Sequence, residues 1–166
     1  MSQYTEDSLV QQTTAEYLEQ QLGWESVYAY NQETFGPQSM LGRASERDVV
    51  LARDLRAAIE RLNPSLPSEA HDQAVEAITG IEASRSLLQH NQDNYDFIRN
   101  GVPITYRDDV SRETRTARAQ VIDFRNPVSN RFLAVRELKI QGVRVPNYNR
   151  RADLVCFVNG LPLVFI

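Results

Sequence analysis

Asp153 is the residue whose setting most suggests chemistry. It heads the apolar run Leu154-Val155-Cys156-Phe157-Val158, directly after Arg150-Arg151, with Arg144 a few positions earlier. A carboxylate at the mouth of an apolar strand emerges at the rim of a sheet, where a hard divalent cation taking oxygen ligands can meet it. The same carboxylate can equally be a strand-entry residue paired with Arg150 or Arg151. Arg144, Arg150 and Arg151 in turn suit phosphate contacts or a solvated surface loop, and the residues alone leave both open. Asp123, followed by Asn126-Pro127, reads first as an Asx-type turn former, and Asn126 and Asn130 as its companions. Cys156 is the single cysteine, so the chain alone offers neither a disulfide nor a zinc cluster; within its apolar run it reads as a buried structural thiol. His71 and His90 lie in an acidic helical region and suggest no catalytic role. No phosphate loop G-x-x-x-x-G-K-[ST], nucleophile elbow, H-E-x-x-H or C-x-x-C occurs in the sequence, which removes an ATP-driven motor and several hydrolase classes from this segment.

The elements that must position these residues change character along the chain. Thr5 suits an N-cap, Glu6 and Asp7 suit the positive end of a helix dipole, and Leu9, Val10, Thr13, Tyr17 and Leu18 recur at helical spacing up to Gly23. Trp24 to Tyr30 reads as a short strand. A second helix is predicted from Ser45, with Asp48 completing a weak capping box, and ends at Asn63-Pro64. A third runs from Ser68 towards Leu88, and a fourth short one ends at Asn100-Gly101. Beyond Gly101 the period becomes that of strands: Val102–Tyr106, which carries Pro103 and therefore suits an edge, then Arg115–Phe124, Phe132–Ile140, Asp153–Val158 and Leu161–Ile166. The last two flank Asn159-Gly160, a strong hairpin signal. Helix, strand, helices and then strands imply an α+β fold with a mixed or antiparallel sheet.

Charge divides the chain in the same place. The net charge is −4, yet residues 1–98 hold six arginines against sixteen carboxylates and residues 99–166 hold twelve basic residues against six carboxylates. One half is thus suited to a polyanion and the other is not. All basic residues except Lys139 are arginine, the better phosphate partner. The N-terminus lacks the apolar core of a signal peptide and no run approaches the length of a membrane helix, so a reducing cytoplasm is expected. The apolar strand Leu163-Val164-Phe165-Ile166 has no polar exit, which reads as a piece of a longer protein.

Two stretches carry a family likeness: Val121-Ile122-Asp123-Phe124-Arg125-Asn126-Pro127-Val128-Ser129-Asn130-Arg131-Phe132, and Arg151 through Asp153-Leu154-Val155 and Asn159-Gly160-Leu161-Pro162 to Ile166. With the opening Thr5-Glu6-Asp7-Ser8-Leu9 helix, these resemble the N-terminal region of type I restriction enzyme R subunits. The resemblance implies a restriction-endonuclease-like fold with a PD-(D/E)xK-type site. Its first metal-binding carboxylate matches Asp153, and a supporting first-helix carboxylate matches Glu6, though an acid in a first helical turn needs no catalytic reason. The family's second carboxylate and lysine follow the final hairpin strand, so the chain departs from the pattern by ending at Ile166 and is expected to be inactive as a nuclease by itself.

The implied function is Mg²⁺-dependent hydrolysis of double-stranded DNA, with ATP used only by later motor domains of the full-length protein, and with methyltransferase and specificity subunits as partners. Arg144, Arg150 and Arg151 are the expected DNA-binding residues. Residues 1–166 are expected to form the first part of an endonuclease domain, with a helical insertion at 30–98 and a basic β-meander at 99–166. A non-catalytic docking or scaffold module, or a decayed gene product, is the competing account. Hairpin geometry enters directly. A two-residue Asn159-Gly160 turn would set Asp153 directly opposite Ile166. A three-residue loop would shift the parity by one and turn Asp153 towards the position after Ile166, where the family's glutamate falls; the three-residue loop is therefore predicted.

Overall fold

A computed structural model describes residues 6–80, 86–108, 110–142 and 149–166, with side chains described from Leu9 onward. Thr5 and Arg144 lie outside the described residues, and the side chain of Glu6 does as well, although its backbone opens the first helix. The chain divides into two compact units, residues 1–51 with 131–166, and residues 52–130.

The first unit is built on a four-stranded mixed sheet in the order β1-β4-β5-β6. Its strands are β1 (Glu25–Tyr28), β4 (Phe132–Gln141), β5 (Asn149–Val158) and β6 (Leu161–Phe165). β1 runs parallel to β4, while β4–β5 and β5–β6 are antiparallel. The central strands are apolar on both faces, as expected when both are covered. On one face Ala134, Leu154 and Cys156 pack against Ala15 of helix α1 (Glu6–Leu22), with Leu18 and Trp24 at the margin. The packed side of α1 is thus the Ala15/Leu18 side. Leu9, Val10 and Tyr17, which carry the helical period in the sequence, are exposed, because the short Ala15 lets the helix approach the sheet closely.

The other face, formed by Leu133, Val135, Leu138, Val155 and Phe157, is covered by Ala29, Leu41 and Leu51. These come from an irregular segment, not a helix. The helix predicted from Ser45 starts only at Ala52: Asp48 Oδ2 accepts the backbone N–H groups of Ala44 and Ser45 and closes a local turn in place of the first helical turns. Leu51 is then fully buried, its N–H bonded to Gly160 O, and α2 (Ala52–Leu62) begins only after it. Arg43 holds this segment down. Its side chain is completely buried, Nε donates 2.7 Å to Glu33 Oε1 and Nη2 donates 2.5 Å to Glu33 Oε2, and further bonds reach Asp48 O and Lys139 O. The planar fork satisfies four acceptors at once, a geometry lysine cannot supply.

The second unit contains α2, α3 (Ser68–Thr79), α4 (Leu87–Asn100) and a separate two-stranded antiparallel ribbon of β2 (Val102–Arg107) and β3 (Thr114–Ala119). The third helix therefore stops at Thr79, earlier than its apolar spacing suggested, and α4 opens on a capping box in which Ser86 Oγ accepts Gln89 N–H while the Gln89 side chain accepts Ser86 N–H. Asn63, half of the predicted helix stop, bridges the unit: Nδ2 donates to Ile59 O and Gln120 O, Oδ1 accepts Gln120 N–H, and its carbonyl meets His71 Nε2 at 2.9 Å. His71 is accordingly a buried structural residue. The strand predicted to continue to Phe124 ends at Ala119 because Val121 and Ile122 are buried as a non-strand segment leading into the Asp123 turn. No helix among the described residues is long and apolar enough to cross a membrane.

Candidate active site

The terminal hairpin reaches the expected parity by a different route. The loop has two residues, Asn159 (φ 51°) and Gly160 (φ 81°), with Val158 paired to Leu161. Two successive positive φ values are the hallmark of a type I′ turn, which Asn-Gly favours. The predicted three-residue loop is therefore wrong. Phe157 pairs with Pro162, but Cys156 pairs with Val164, so Leu163 is an extra residue and β6 bulges there. Pro162 has no N–H to offer the ladder, and prolines within sheets sit at edges and bulges for that reason. Beyond the bulge, Leu154 and Ile166 exchange both backbone hydrogen bonds, 3.0 and 2.9 Å. Asp153 consequently faces, in register, the position following Ile166 and not Ile166 itself. Asn159 also anchors the turn, being fully buried with Oδ1 accepting Arg131 N–H at 2.8 Å.

Asp153 itself is exposed, and its carboxylate makes no hydrogen bond or ion pair among the described residues. Arg151 pairs elsewhere, with Nε 2.5 Å from Glu137 Oε2. That contact is an ion pair without hydrogen-bond alignment, since Glu137 Oε2 is buried and accepts no hydrogen bond. Glu137 was not singled out by sequence reasoning. Its φ of 57° is unusual inside a strand, and by the register it lies between the pairs Arg136–Leu154 and Leu138–Ala152, directly across from Asp153. Leu133, Val135 and Leu138 share one core face, which regular alternation forbids, and so do Ala152 and Val155 across from them. Both strands thus break alternation at the level of Glu137 and Asp153. Only the interrupting polar pair Arg136-Glu137 within an apolar strand could have signalled it.

Next to this level, Lys139 and Arg151 stand opposite each other in register, an arrangement of like charges that is unfavourable alone. The Tyr30 ring lies between their demands, 5.2 Å from Lys139 Nζ and 4.9 Å from the Arg151 guanidinium carbon, and cation–π attraction offsets part of the repulsion. Tyr30, Lys139, Asn149, Arg150 and Arg151 line an open cleft of about 380 Å³. Arg150 is exposed there, whereas Arg144 lies outside the described residues.

Mg²⁺ is held by one or two carboxylates, with water and phosphate filling the other positions. The exposed carboxylate of Asp153, without a partner among the described residues, fits one such ligand. Among the described residues no group of three or more His, Cys, Asp or Glu side chains is gathered around it. The remaining sequence candidates are structural. Asp123 Oδ1 accepts the N–H groups of Arg125 and Asn126, and Asn130 brackets the same turn through both its oxygen and its nitrogen. Cys156 is buried, and burial pushes its thiol pKa up.

Residues 3–166 match the family described as the type I restriction enzyme R protein N terminus, and the chain belongs to that family. It is 35% identical over 159 residues to the type I restriction enzyme HindI endonuclease subunit of Haemophilus influenzae, covering 93% of this chain and 14% of that protein. It is 29% identical over 121 residues to the "Putative type I restriction enzyme MjaIXP endonuclease subunit" of Methanocaldococcus jannaschii, covering 73% of this chain and 11% of that protein. The chain therefore spans only a small part of the length of these relatives.

Proposed function

We propose that this chain is the N-terminal nuclease segment of a cytoplasmic R subunit of restriction-endonuclease-like fold, and that Asp153 is a Mg²⁺ ligand in hydrolysis of double-stranded DNA. The carrying observation is the position of Asp153: an exposed carboxylate at the sheet rim with no partner among the described residues, whose place in the register is opposite the position following Ile166. Bound Mg²⁺ would supply charge neutralisation at the phosphate and an activated water. The rest of the work falls to the chain. Glu137 holds Arg151, Tyr30 and Glu137 together keep Arg151 and Lys139 at the cleft, and Arg150 extends the cationic rim for phosphate contacts. Arg144 is proposed for the same task, and Glu6 as a supporting carboxylate from α1, on family likeness alone. The family pattern puts a glutamate and a lysine just past Ile166. ATP-driven translocation and docking to methyltransferase and specificity subunits would belong to the whole protein.

A chain extended past Ile166 by the next segment tests the proposal. Titration calorimetry with Mg²⁺, and with Mn²⁺ as a second probe, should show binding that Asp153→Ala weakens at least about tenfold, matching the loss of a ligand worth roughly 1.4 kcal/mol or more. Plasmid cleavage should need the extension, Mg²⁺ and Asp153 together. Cleavage by residues 1–166 alone, or unchanged metal binding in the folded Asp153→Ala variant, would overturn it.

A further inference from the structure

The ribbon unit carries a cationic surface that belongs to no part of the Asp153 site. In the β2–β3 ribbon, Val102 and Ile104 are buried together with Ala119. The opposite face presents Pro103, Thr105 and Arg107 from β2, paired with Arg118, Thr116 and Thr114 from β3, and all six are exposed. That face offers three hydroxyls and two guanidinium groups and no carboxylate. Arg118 then leads into an open cleft of about 550 Å³ within the same unit, whose wall includes Arg99, Arg118, Phe124 and Arg125. Among the described residues, Asp123 lines the same cleft and Asp96 pairs with Arg118. Asp123 is turned onto the Arg125 and Asn126 backbone N–H groups, and Asp96 meets Arg118 at 3.5 Å with half its surface still in water, a pair that solvent largely screens. Phe124 is 62% exposed and lines the same cleft as Arg99, Arg118 and Arg125.

We infer that the outer face of the β2–β3 ribbon and the Arg99/Arg118/Arg125 cleft form a second DNA-binding surface, contacting the phosphodiester backbone. The inference rests on the DNA-directed reading above but not on Asp153 or metal. Two observations favour DNA over a protein partner. Arginine and threonine donors on a ribbon face that itself carries no carboxylate suit phosphate oxygens, which accept from arginine forks and side-chain hydroxyls. The ribbon's shape also fits, because a two-stranded antiparallel ribbon is an element the DNA major groove admits. Arg107 and Arg118 are four ladder positions apart, about 14 Å along the strands, enough to reach several successive phosphates, which lie about 3.4 Å apart per strand along the helix axis.

The test is binding of a fluorescein-labelled 30-base-pair duplex to the 166-residue chain, followed by anisotropy across a range of NaCl concentrations. Arg99→Ala/Arg118→Ala/Arg125→Ala, and separately Arg107→Ala/Arg125→Ala, should weaken binding at least about tenfold. They should also flatten the slope of log K against log salt by about 0.9 for each phosphate contact removed. The second variant spares Arg118, which also bonds Gly101 O, and removes only the exposed 3.3 Å bond from Arg107 Nε to Arg112 O, so a folding defect in the first does not decide the matter. Should only Arg150→Ala/Arg151→Ala lose binding while both ribbon variants keep it, the second surface is wrong and the nuclease reading stands. Absence of duplex binding, or equally tight binding of poly-glutamate at the ribbon, would also overturn it, the latter in favour of an acidic protein partner.

Discussion

Arg43 illustrates how one side chain decides the architecture of the first unit. Removing it by Arg43→Ala leaves Glu33, only 7% exposed, as an uncompensated buried charge and frees two backbone carbonyls. Breaking such a pair from one side costs about 3–5 kcal/mol, and urea denaturation should show a loss of that size. Arg43→Lys should recover little, since a point charge cannot bridge both carboxylate oxygens and the carbonyls. Glu25 and Arg131 form the exposed counterpart, with bonds of 2.9 and 2.5 Å. The Arg131 hydrogen bond holds the Glu25 carboxyl below its ordinary value of 4.5. A depressed carboxylate pKa means that this stabilisation is present above pH 4.5 and disappears as pH falls through the lowered folded value. Glu25→Gln should therefore lower stability near neutrality by no more than about 0.5 kcal/mol, given solvent screening, and the difference from wild type should vanish in acid. Thermal melts at several pH values would show it.

Among elements, the terminal hairpin bears most directly on the proposed metal site, because a one-residue slip would turn Asp153 to the other side of the sheet. Its register is fixed twice, by the Asn159-Gly160 turn and by the Leu163 bulge. Asn159→Ala removes the acceptor for the part-buried Arg131 N–H and forces alanine to a φ near 51°. An unpaired buried donor costs about 1–3 kcal/mol and a left-handed alanine about 1 kcal/mol more, so a combined loss of about 2–4 kcal/mol is expected in denaturant titration. Asn159→Gly should recover the backbone part but not the hydrogen bond. Replacing Pro162 with a residue that carries an N–H tests whether proline maintains the bulge. If it does, the amide resonances of Cys156 and Leu154 should shift as their partners change.

The whole molecule divides into a sheet unit and a helix–ribbon unit, and each has its own buried polar keystone. Arg43 serves the first and Asn63 the second, the latter joining α2 to Gln120 and His71. Hydrogen exchange should separate them. Asn63→Ala should raise exchange in α2 and at Gln120 and leave the protected amides of β4 and β5 near their wild-type rates, whereas Arg43→Ala should do the reverse. Equal deprotection of both units by either substitution would show that they unfold as one.

Composition and pattern made much of this legible. The strands β1, β4, β5 and β6, the Asn-Gly turn, the Asp123–Asn130 turn, the buried thiol and the family likeness could be read from residue types, because each depends on neighbours close in sequence. Three features could not. The irregular cover at 29–51 looked helical near Ser45 because local capping chemistry is short-ranged, while its true shape is set by Arg43 reaching Lys139 O from 96 positions away. The pairing of β2 with β3 in a sheet of their own, and the break in alternation at Glu137, depend on which surfaces meet. The parity at Asp153 was expected for a sound reason but by the wrong device. The residues specified a turn of two and a proline that cannot donate, and only the folded ladder, by bulging at Leu163, converted these into a register that points Asp153 past the end of Ile166.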